Sequence, residues 1–384
     1  MNRPLRLLIW SSIPTHHQSG FFGALREREI DVVVHYYQRV HTGRLDMGWA
    51  DHSVLPAGER YVGESLRSVE ECPDWRERIH VVPGYGIIFL LRLAWFLSRH
   101  HVPWLHWSEH SEPTLHSHLT FLVKRAYGGL VRRHAIGALA IGEPARLEFI
   151  RWGVDANMIR FLPYAVPGLG DQRASKSRSA PGTRFLFLGQ LIPRKGIDLL
   201  LEAMKNVLAS YPGARLELAG TDRSNSGYAR EAARLGIAHA VEFSGMIEAR
   251  HVGTVLRGCD VFVLPSRHDG WGVVLNEAAS AGKPIIASDA CGAAHHLALP
   301  GVNGFRFTSG SVQELTAAML AYCREPELAR RHGEQSLRIF EEFTPRRNAQ
   351  RFEEALDSLV ESDSRRSQVI ESALPGAVTD SRPR

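Results

Sequence analysis

A chain of 384 residues is longer than one compact core usually holds, and with 44% hydrophobic and 23% charged residues it has a globular composition, so two domains are expected. A net charge of +5, from 46 basic against 41 acidic side chains, demands no nucleic acid, and the four cysteines (Cys72, Cys259, Cys291, Cys323) form no CxxC pair, so neither a zinc site nor a disulfide framework is indicated. No stretch of about 18 uninterrupted apolar residues exists, and the apolar run in "MNRPLRLLIWSSIPTHH" is too short for the core of a signal peptide, so a cytoplasmic protein is expected.

In chain order, "PLRLLIWS" (4–11), "IDVVVHYY" (30–37), "VPWLHWSE" (102–109), "IGALAIG" (136–142) and "IRFLPYAV" (159–166) read as strands. Helices are predicted between them over "FFGALRERE" (21–29), "GIIFLLRLAWFLSRH" (86–100), "TLHSHLTFLVKRAYGGLVRRH" (114–134) and "PARLEFIRWG" (144–153). The segment 166–183, rich in Gly, Ser, Pro and charge, has the composition of a linker.

From residue 184 the alternation is clearer. "RFLFLG" (184–189) is a continuous apolar run, as in a strand covered on both faces. In the helix that follows, Ile197, Leu200, Leu201, Met204, Val207 and Leu208 recur at helical spacing before Pro212-Gly213 stops it. Strands "ARLELAG", "AVEFSG", "DVFVLPS", "KPIIASD" and "GFRF" then alternate with helices "GYAREAARLG", "RHVGTVLRG", "GVVLNEAASAG" and "SVQELTAAMLAYCREP". Such alternation predicts α/β architecture: two Rossmann-like, doubly wound parallel-sheet domains facing across a cleft. The boundaries read as 1–165 for the first domain, 166–183 for the linker and 184–345 for the second domain. A C-terminal helix over 346–361 is expected to cross back to the first domain, and 362–384 to be a disordered tail.

Ligands of such sheets bind beyond the carboxyl ends of the strands, and the chemically suggestive residues follow predicted strands. No GxGxxG opens a helix after the first strand, and "GQLIPRKG" (189–196) lacks both the glycine at 194 and the Ser or Thr after Lys195 that a P-loop needs. Arg194 and Lys195 nevertheless sit at a predicted helix start, where amides and macrodipole favour an anion; the other reading is a pair of solvated charges. "HWSEH" (106–110) has the spacing of a zinc-peptidase motif, but Pro103 and Pro113 bracket it and it alternates like a strand. Glu109 and His110 read either as loop residues meeting a polar substrate or as plain loop. No Asp-x-Asp occurs, so the common grip on a metal-bound nucleoside diphosphate is absent. The helix 114–134 carries Lys124, Arg125, Arg132 and Arg133 without an acid, and reads either as a membrane-surface helix or as a core helix with a solvated basic face.

"HDGWGVVLNEAASAG" (268–282) puts Asp269 in a loop and Glu277 inside the following helix, with the small Gly270 and Gly272 around Trp271 between them. Amides at such a start suit an anion, and a carboxylate suits vicinal hydroxyls because both oxygens accept. The alternative is an Asp-Gly turn and a surface Glu.

Together, "FLFLGQLIPRKGIDLLLEAM", "VEFSGMIEARHVGTVLRGCDVFVLPS", "DGWGVVLNEAASAGKPIIASD" and "GVNGFRF" resemble the retaining glycosyltransferases of the GT-B fold, family 4 (group 1). The resemblance is strongest over about 184–345, and "IGEPARLEFIRWGVDANMIRFLPYAV" extends it into the first half. It implies a nucleoside-diphosphate-sugar donor, with UDP or GDP as nucleotide, no cofactor and no catalytic metal. It also implies a saccharide or lipid-linked acceptor, and a cytoplasmic enzyme at the inner face of a membrane. By position, Lys195 would neutralise the diphosphate, Glu277 would accept the ribose hydroxyls, and Asp269 with the amides of Gly270, Trp271 and Gly272 would hold the sugar and its phosphate. Main chain near Met246 and Ile247 would meet the base, and Gly189, Gln190, Arg194 and Val273 would complete the donor side. Gln18, Ser19, Gly20, Glu109 and His110 would form the acceptor side, and Asp269, His110 and Lys195 would be the catalytic group.

The chain departs from that pattern in three places. Asp269 stands where Glu is usual, Gln190 where Arg is usual, and "PTHHQSGFF" lacks the frequent Gly-Gly pair. Two rival functions follow: a nucleotide-sugar epimerase on the same scaffold, and a catalytically silent sugar-nucleotide-binding partner.

Overall fold

The computed structural model describes residues 5–39, 54–84, 86–112, 118–169 and 182–361. It divides into two compact units. The first takes residues up to Ala165 and the helix beginning at Pro345; the second takes Val166–Thr344. Residues 170–181 of the predicted linker and the predicted tail 362–384 lie outside the described residues.

The first unit is built on a parallel sheet of β1 (Arg6–Ser11), β2 (Asp31–Tyr36), β3 (Glu59–Tyr61), β4 (Ile79–Val82), β5 (Trp104–Ser108), β6 (Gly137–Ala140) and β7 (Ile159–Phe161), in the order β3-β2-β1-β4-β5-β6-β7. Its helices are α1 (His16–Glu27), the single turn α2 (Arg67–Glu70), α3 (Ile88–Arg99), α4 (His118–His134) and α5 (Glu143–Arg151). Sequence periodicity missed β3 and β4. β4 occupies the middle of the sheet, paired to both β1 and β5. It has only four residues between Arg78 and Pro83, too few to show a period, and its place is settled by its neighbours.

α1 begins at His16, five residues before the predicted "FFGALRERE". Thr15 caps it, its side chain accepting from the Gln18 amide at 3.3 Å and its carbonyl accepting from Ser19 N at 3.0 Å. Gln18, Ser19 and Gly20 therefore lie on the first turns of a helix and not in a loop.

The second unit contains β8 (Arg184–Leu188), β9 (Arg215–Ala219), β10 (Val241–Gly245), β11 (Val261–Leu264), β12 (Ile285–Ser288) and β13 (Gly304–Phe307), all parallel, in the order β10-β9-β8-β11-β12-β13. Between and after them run α6 (Ile197–Ser210), α7 (Gly227–Arg234), α8 (Val252–Gly258), α9 (Val274–Ser280), α10 (Ala294–Leu297), α11 (Val312–Arg324) and α12 (Pro326–Phe340). Phe185, Leu186, Phe187, Val261, Phe262, Val263, Ile285 and Ile286 are all at most 1% exposed, which is why these strands read as unbroken apolar runs. Each such side chain contributes about 1.5–3 kcal/mol of burial.

α13 (Pro345–Glu361) belongs to the first unit and packs along α1. Phe352 meets Phe21 with ring centroids 6.4 Å apart, and Asn348 donates to Pro163 O at 2.8 Å.

One predicted basic residue is not on the surface. Lys124 of α4 is buried, its ammonium donating to Glu148 Oε1 at 2.9 Å and to Ser111 Oγ at 2.6 Å. Helical spacing placed it beside Arg125, but α5 supplies a buried carboxylate on the side facing it. The four-cation face expected of 114–134 therefore loses one member, while Arg125, Arg132 and Arg133 are exposed.

Candidate functional site

Because all strands of the second unit are parallel, their carboxyl ends share one edge, and the residues following β8, β10 and β11 gather there. After β8, Gly189 and Gln190 lead into a 3-10 turn, Pro193–Lys195, and only after Gly196 does α6 begin. Arg194 and Lys195 thus precede the helix instead of forming its first turn. Gly196 has φ +69°, and a β-carbon there would lie 2.2 Å from Pro265 O, so the turn presses against the chain leaving β11.

Hydrogen bonds lace these two segments together. Arg194 donates to His268 O at 2.8 Å, Arg267 N donates to Arg194 O at 2.8 Å, and the Arg267 guanidinium reaches Pro193 O at 2.8 Å. Arg267 also grips both oxygens of Asp198 at 2.8 and 2.6 Å, and that bond holds the Asp198 carboxyl below its ordinary value. Arg267 and Asp198 went unnoticed in the sequence; a cation directly after a strand that precedes Asp269 was the available signal.

The product of this lacing is a Lys195–Asp269 ion pair, with side chains 15% and 14% exposed. Asp269 is in turn fixed from β12. Its amide donates to Ala290 O at 3.0 Å, and its carbonyl accepts from Gly292 N at 3.0 Å. A β-carbon on Gly292 would stand 2.3 Å from Gly270 O, so the two loops touch backbone to backbone. Gly272, at φ +89°, faces Cys291 Sγ, whose thiol is pushed up first by burial and then by the charge of Asp269.

Trp271 contributes no side chain to an accessible surface. It is 1% exposed, its indole N–H donates to Asn276 Oδ1 at 2.8 Å, and its ring stacks on His296 with centroids 5.8 Å apart. Gly270 and Gly272 are buried with it. The loop folds inward on the Trp271 anchor, so what these three residues can offer is backbone and not side chain, and the half-buried Val273 and Val274 form the accessible start of α9. Glu277 stands one turn further on, half-buried. Met246, 44% exposed, and Ile247 follow the edge strand β10 on the same side of the sheet.

In the first unit, Glu109 is exposed and His110 half-buried just beyond β5, and Gln18–Gly20 follow β1 at the corresponding edge. Ser111 anchors the Glu109–His110 segment, its amide donating to Glu148 Oε2 at 2.8 Å. His106, the first residue of the zinc-like spacing, is buried within β5 and bonds to Tyr127 and Ser108 at 3.0 and 2.9 Å. Among the described residues, no three His, Cys, Asp or Glu side chains cluster as a metal site would require.

Two cavities of the second unit, about 490 and 540 Å³, open at the opposite edge, where Arg184, Arg215 and Val241 begin their strands and where Tyr211, Asp260 and Tyr322 gather. The Lys195–Asp269 pair lies at the other ends of these strands, away from both cavities.

Residues 171–338 match the family described as Glycosyl transferases group 1. The chain is 29% identical over 198 residues to the D-inositol 3-phosphate glycosyltransferase of Segniliparus rotundus, covering 50% of this chain and 42% of that protein. It is 31% identical over 206 residues to the GDP-mannose-dependent alpha-(1-6)-phosphatidylinositol monomannoside mannosyltransferase of Mycolicibacterium smegmatis, covering 51% and 52%. These alignments span about half the length of the curated relatives. Among solved structures, Anabaena HepE in complex with UDP and glucose superposes with a TM-score of 0.71 at 19% identity, over 92% of this chain and 100% of that one. The lipopolysaccharide outer core galactosyltransferase WaaB gives 0.70 at 18%, over 92% and 99%. At such identities the likeness is one of fold, and the fold is that of the GT-B glycosyltransferases.

Proposed function

We propose that this protein is a retaining glycosyltransferase that moves a sugar from a nucleoside-diphosphate-sugar to a saccharide or lipid-linked acceptor without a catalytic metal. The observation that carries the reading is the Lys195–Asp269 pair at the carboxyl edge of the second sheet, with Asp269 in the loop that leads into α9 and Glu277 in that helix's first turn. A diphosphate entering there meets Lys195, which shifts its charge from Asp269 to the phosphates; Asp269 is then left to accept hydroxyls of the transferred sugar. Glu277 accepts the ribose hydroxyls, and main chain at Met246 and Ile247 meets the base. UDP is favoured by HepE, solved with UDP, and GDP by the relatives named as GDP-mannose-dependent.

In the transfer, the bond from the sugar's anomeric carbon to the phosphate oxygen breaks as a bond from the same face to the acceptor oxygen forms. The acceptor's proton passes to the leaving phosphate. Negative charge grows on that phosphate, and Lys195 stabilises it more in the transition state than in the ground state. Glu109 and His110 of the first unit are assigned to the acceptor, and an acceptor attached to lipid would bring the protein to a membrane.

The test is a thermal-shift screen of nucleoside diphosphates and their sugars on the native protein and on Lys195→Ala and Glu277→Ala. Binding to the folded state raises the melting temperature by mass action. A shift with one base that both variants lose fits the assignment; no shift with any nucleotide overturns it. Incubating the active donor alone then separates transfer from epimerisation, since only an epimerase converts the sugar without acceptor.

A further inference from the structure

Helices α3, α4 and α5 lie side by side on one face of the first sheet. Leu90, Leu93 and Leu97 of α3, Tyr127 and Val131 of α4 and Phe149 of α5 point into a common core, and the Lys124–Glu148 pair ties α4 to α5. Their outer faces carry large apolar groups: Ile88 and Trp95 on α3 are 75% and 54% exposed, Phe121 and Leu122 on α4 are 48% and 63%, and Leu147 and Ile150 on α5 are 43% and 37%. Between them stand the exposed Arg92, Arg99, Arg125, Arg132, Arg133 and Arg151. Neither α3 nor α4 contains a carboxylate, and the two on α5 are engaged, Glu143 by Arg146 and Glu148 by Lys124.

Singly exposed apolar residues are ordinary, but three adjacent helices that each expose two or more, threaded with cations, are not. The pattern also says what covers the face. A protein interface collects its apolar groups in a centre depleted of charge and leaves cations at the rim. Here cations stand among the apolar groups: along α3 they alternate, in the order Ile88, Arg92, Trp95, Arg99, while Arg125 follows the apolar start of α4 and Arg151 adjoins Ile150 on α5, and the Arg99 guanidinium sits 5.5 Å from the Trp95 ring. That alternation suits a boundary where apolar groups enter the acyl region while guanidinium groups reach back to phosphates.

We propose that the outer face of α3, α4 and α5 is the surface by which this protein lies on an anionic lipid bilayer. It is a composite of three helices, wider than the single helix 114–134 that one of the two sequence readings offered, and Lys124 takes no part in it. The inference stands independently of the transfer reaction.

The test is co-sedimentation of the full chain with vesicles of phosphatidylcholine alone and of phosphatidylcholine with phosphatidylglycerol. Two triple variants accompany it: Arg92→Glu/Arg125→Glu/Arg133→Glu and Trp95→Ser/Phe121→Ser/Leu122→Ser. All substituted positions are exposed, so both variants should keep the melting temperature of the native chain. The native protein should sediment with the anionic vesicles and not with phosphatidylcholine, increasingly weakly as salt rises. Charge reversal should lower partitioning by about a hundredfold or more, and the apolar substitutions should lower it as well. Equal sedimentation with both vesicle types, or binding that neither variant changes, overturns the proposal. So does a native chain that ignores vesicles but forms a dimer abolished by the apolar substitutions, which would assign the face to a second copy.

Discussion

Lys195 and Asp269, 74 residues apart, meet as an ion pair because a left-handed glycine at 196 lets the turn carrying the lysine rest against the chain that carries the aspartate. On the proposed function, an incoming diphosphate competes with this resident carboxylate. Asp269→Asn should therefore bind a free nucleoside diphosphate about three- to tenfold more tightly, while transfer to acceptor falls. Calorimetric titration of the diphosphate beside a turnover assay checks both; weaker diphosphate binding in the variant would show that Asp269 supports the site instead of opposing the anion.

Gly196→Ala should be costly. The residue has φ +69°, and the added β-carbon would meet Pro265 O at 2.2 Å, so backbone must shift. A loss of about 2 kcal/mol or more is expected, with the Lys195 turn displaced and the nucleotide-induced thermal shift reduced. A variant with native melting temperature and native nucleotide response would show that the contact relaxes freely.

Lys124→Met should destabilise the first unit by about 3–5 kcal/mol, because Glu148 would be left as a buried charge. The pair is nearly dry, at 4% and 11% side-chain exposure. Lys124→Met/Glu148→Leu should recover most of the loss in urea unfolding. If the double variant is no better than the single, Ser111 and the loop it anchors depend on the ions themselves.

Acid should weaken the fold through buried histidines before most carboxylates titrate. Burial, aided at His35 by Arg60, lowers His35 and His80 to about 4, and burial lowers His106 to about 3. For His80 the cause is visible: Nδ1 accepts from the Trp10 indole at 3.2 Å and Nε2 bonds to Trp75 O at 2.9 Å, so the neutral ring is satisfied and a second proton would break the first bond. Above pH 6.5 both states hold these rings neutral and they contribute nothing to pH dependence. As pH falls below 6.5 the unfolded chain takes up protons that the folded one refuses, and stability falls until about pH 4 for His35 and His80 and about pH 3 for His106. At pH 5 the loss is about 2 kcal/mol for each ring. Urea midpoints at pH 7.5 and pH 5 measure it, and His106→Gln should flatten the slope; an unchanged slope would mean that His106 titrates in the folded protein.

Much of the fold was open to reading from the residues because a strand covered by helices on both faces must be apolar throughout. "RFLFLG" and "DVFVLPS" announce β8 and β11 on that ground alone. β4 escaped because four residues show no period, and the start of α1 escaped because a threonine cap outweighed the polar "HHQSG" that follows it. At the candidate site, strand ends could be located and the residues after them named, while the inward fold of Trp271 and the lacing by Arg267 could not.

Periodicity tells which face of an element is buried, and by itself it determined the α/β class, the two sheets and the position of Lys195, Asp269 and Glu277 just beyond or near strand ends. It carries no information on which buried face meets which. That Lys195 reaches Asp269, that Lys124 turns inward to Glu148 while Arg125 beside it stays in water, and that three helices align their exposed apolar groups on one surface were decided only by the tertiary structure. Such pairings join residues far apart in the chain, and they follow from strand order and crossover, which no local spacing records.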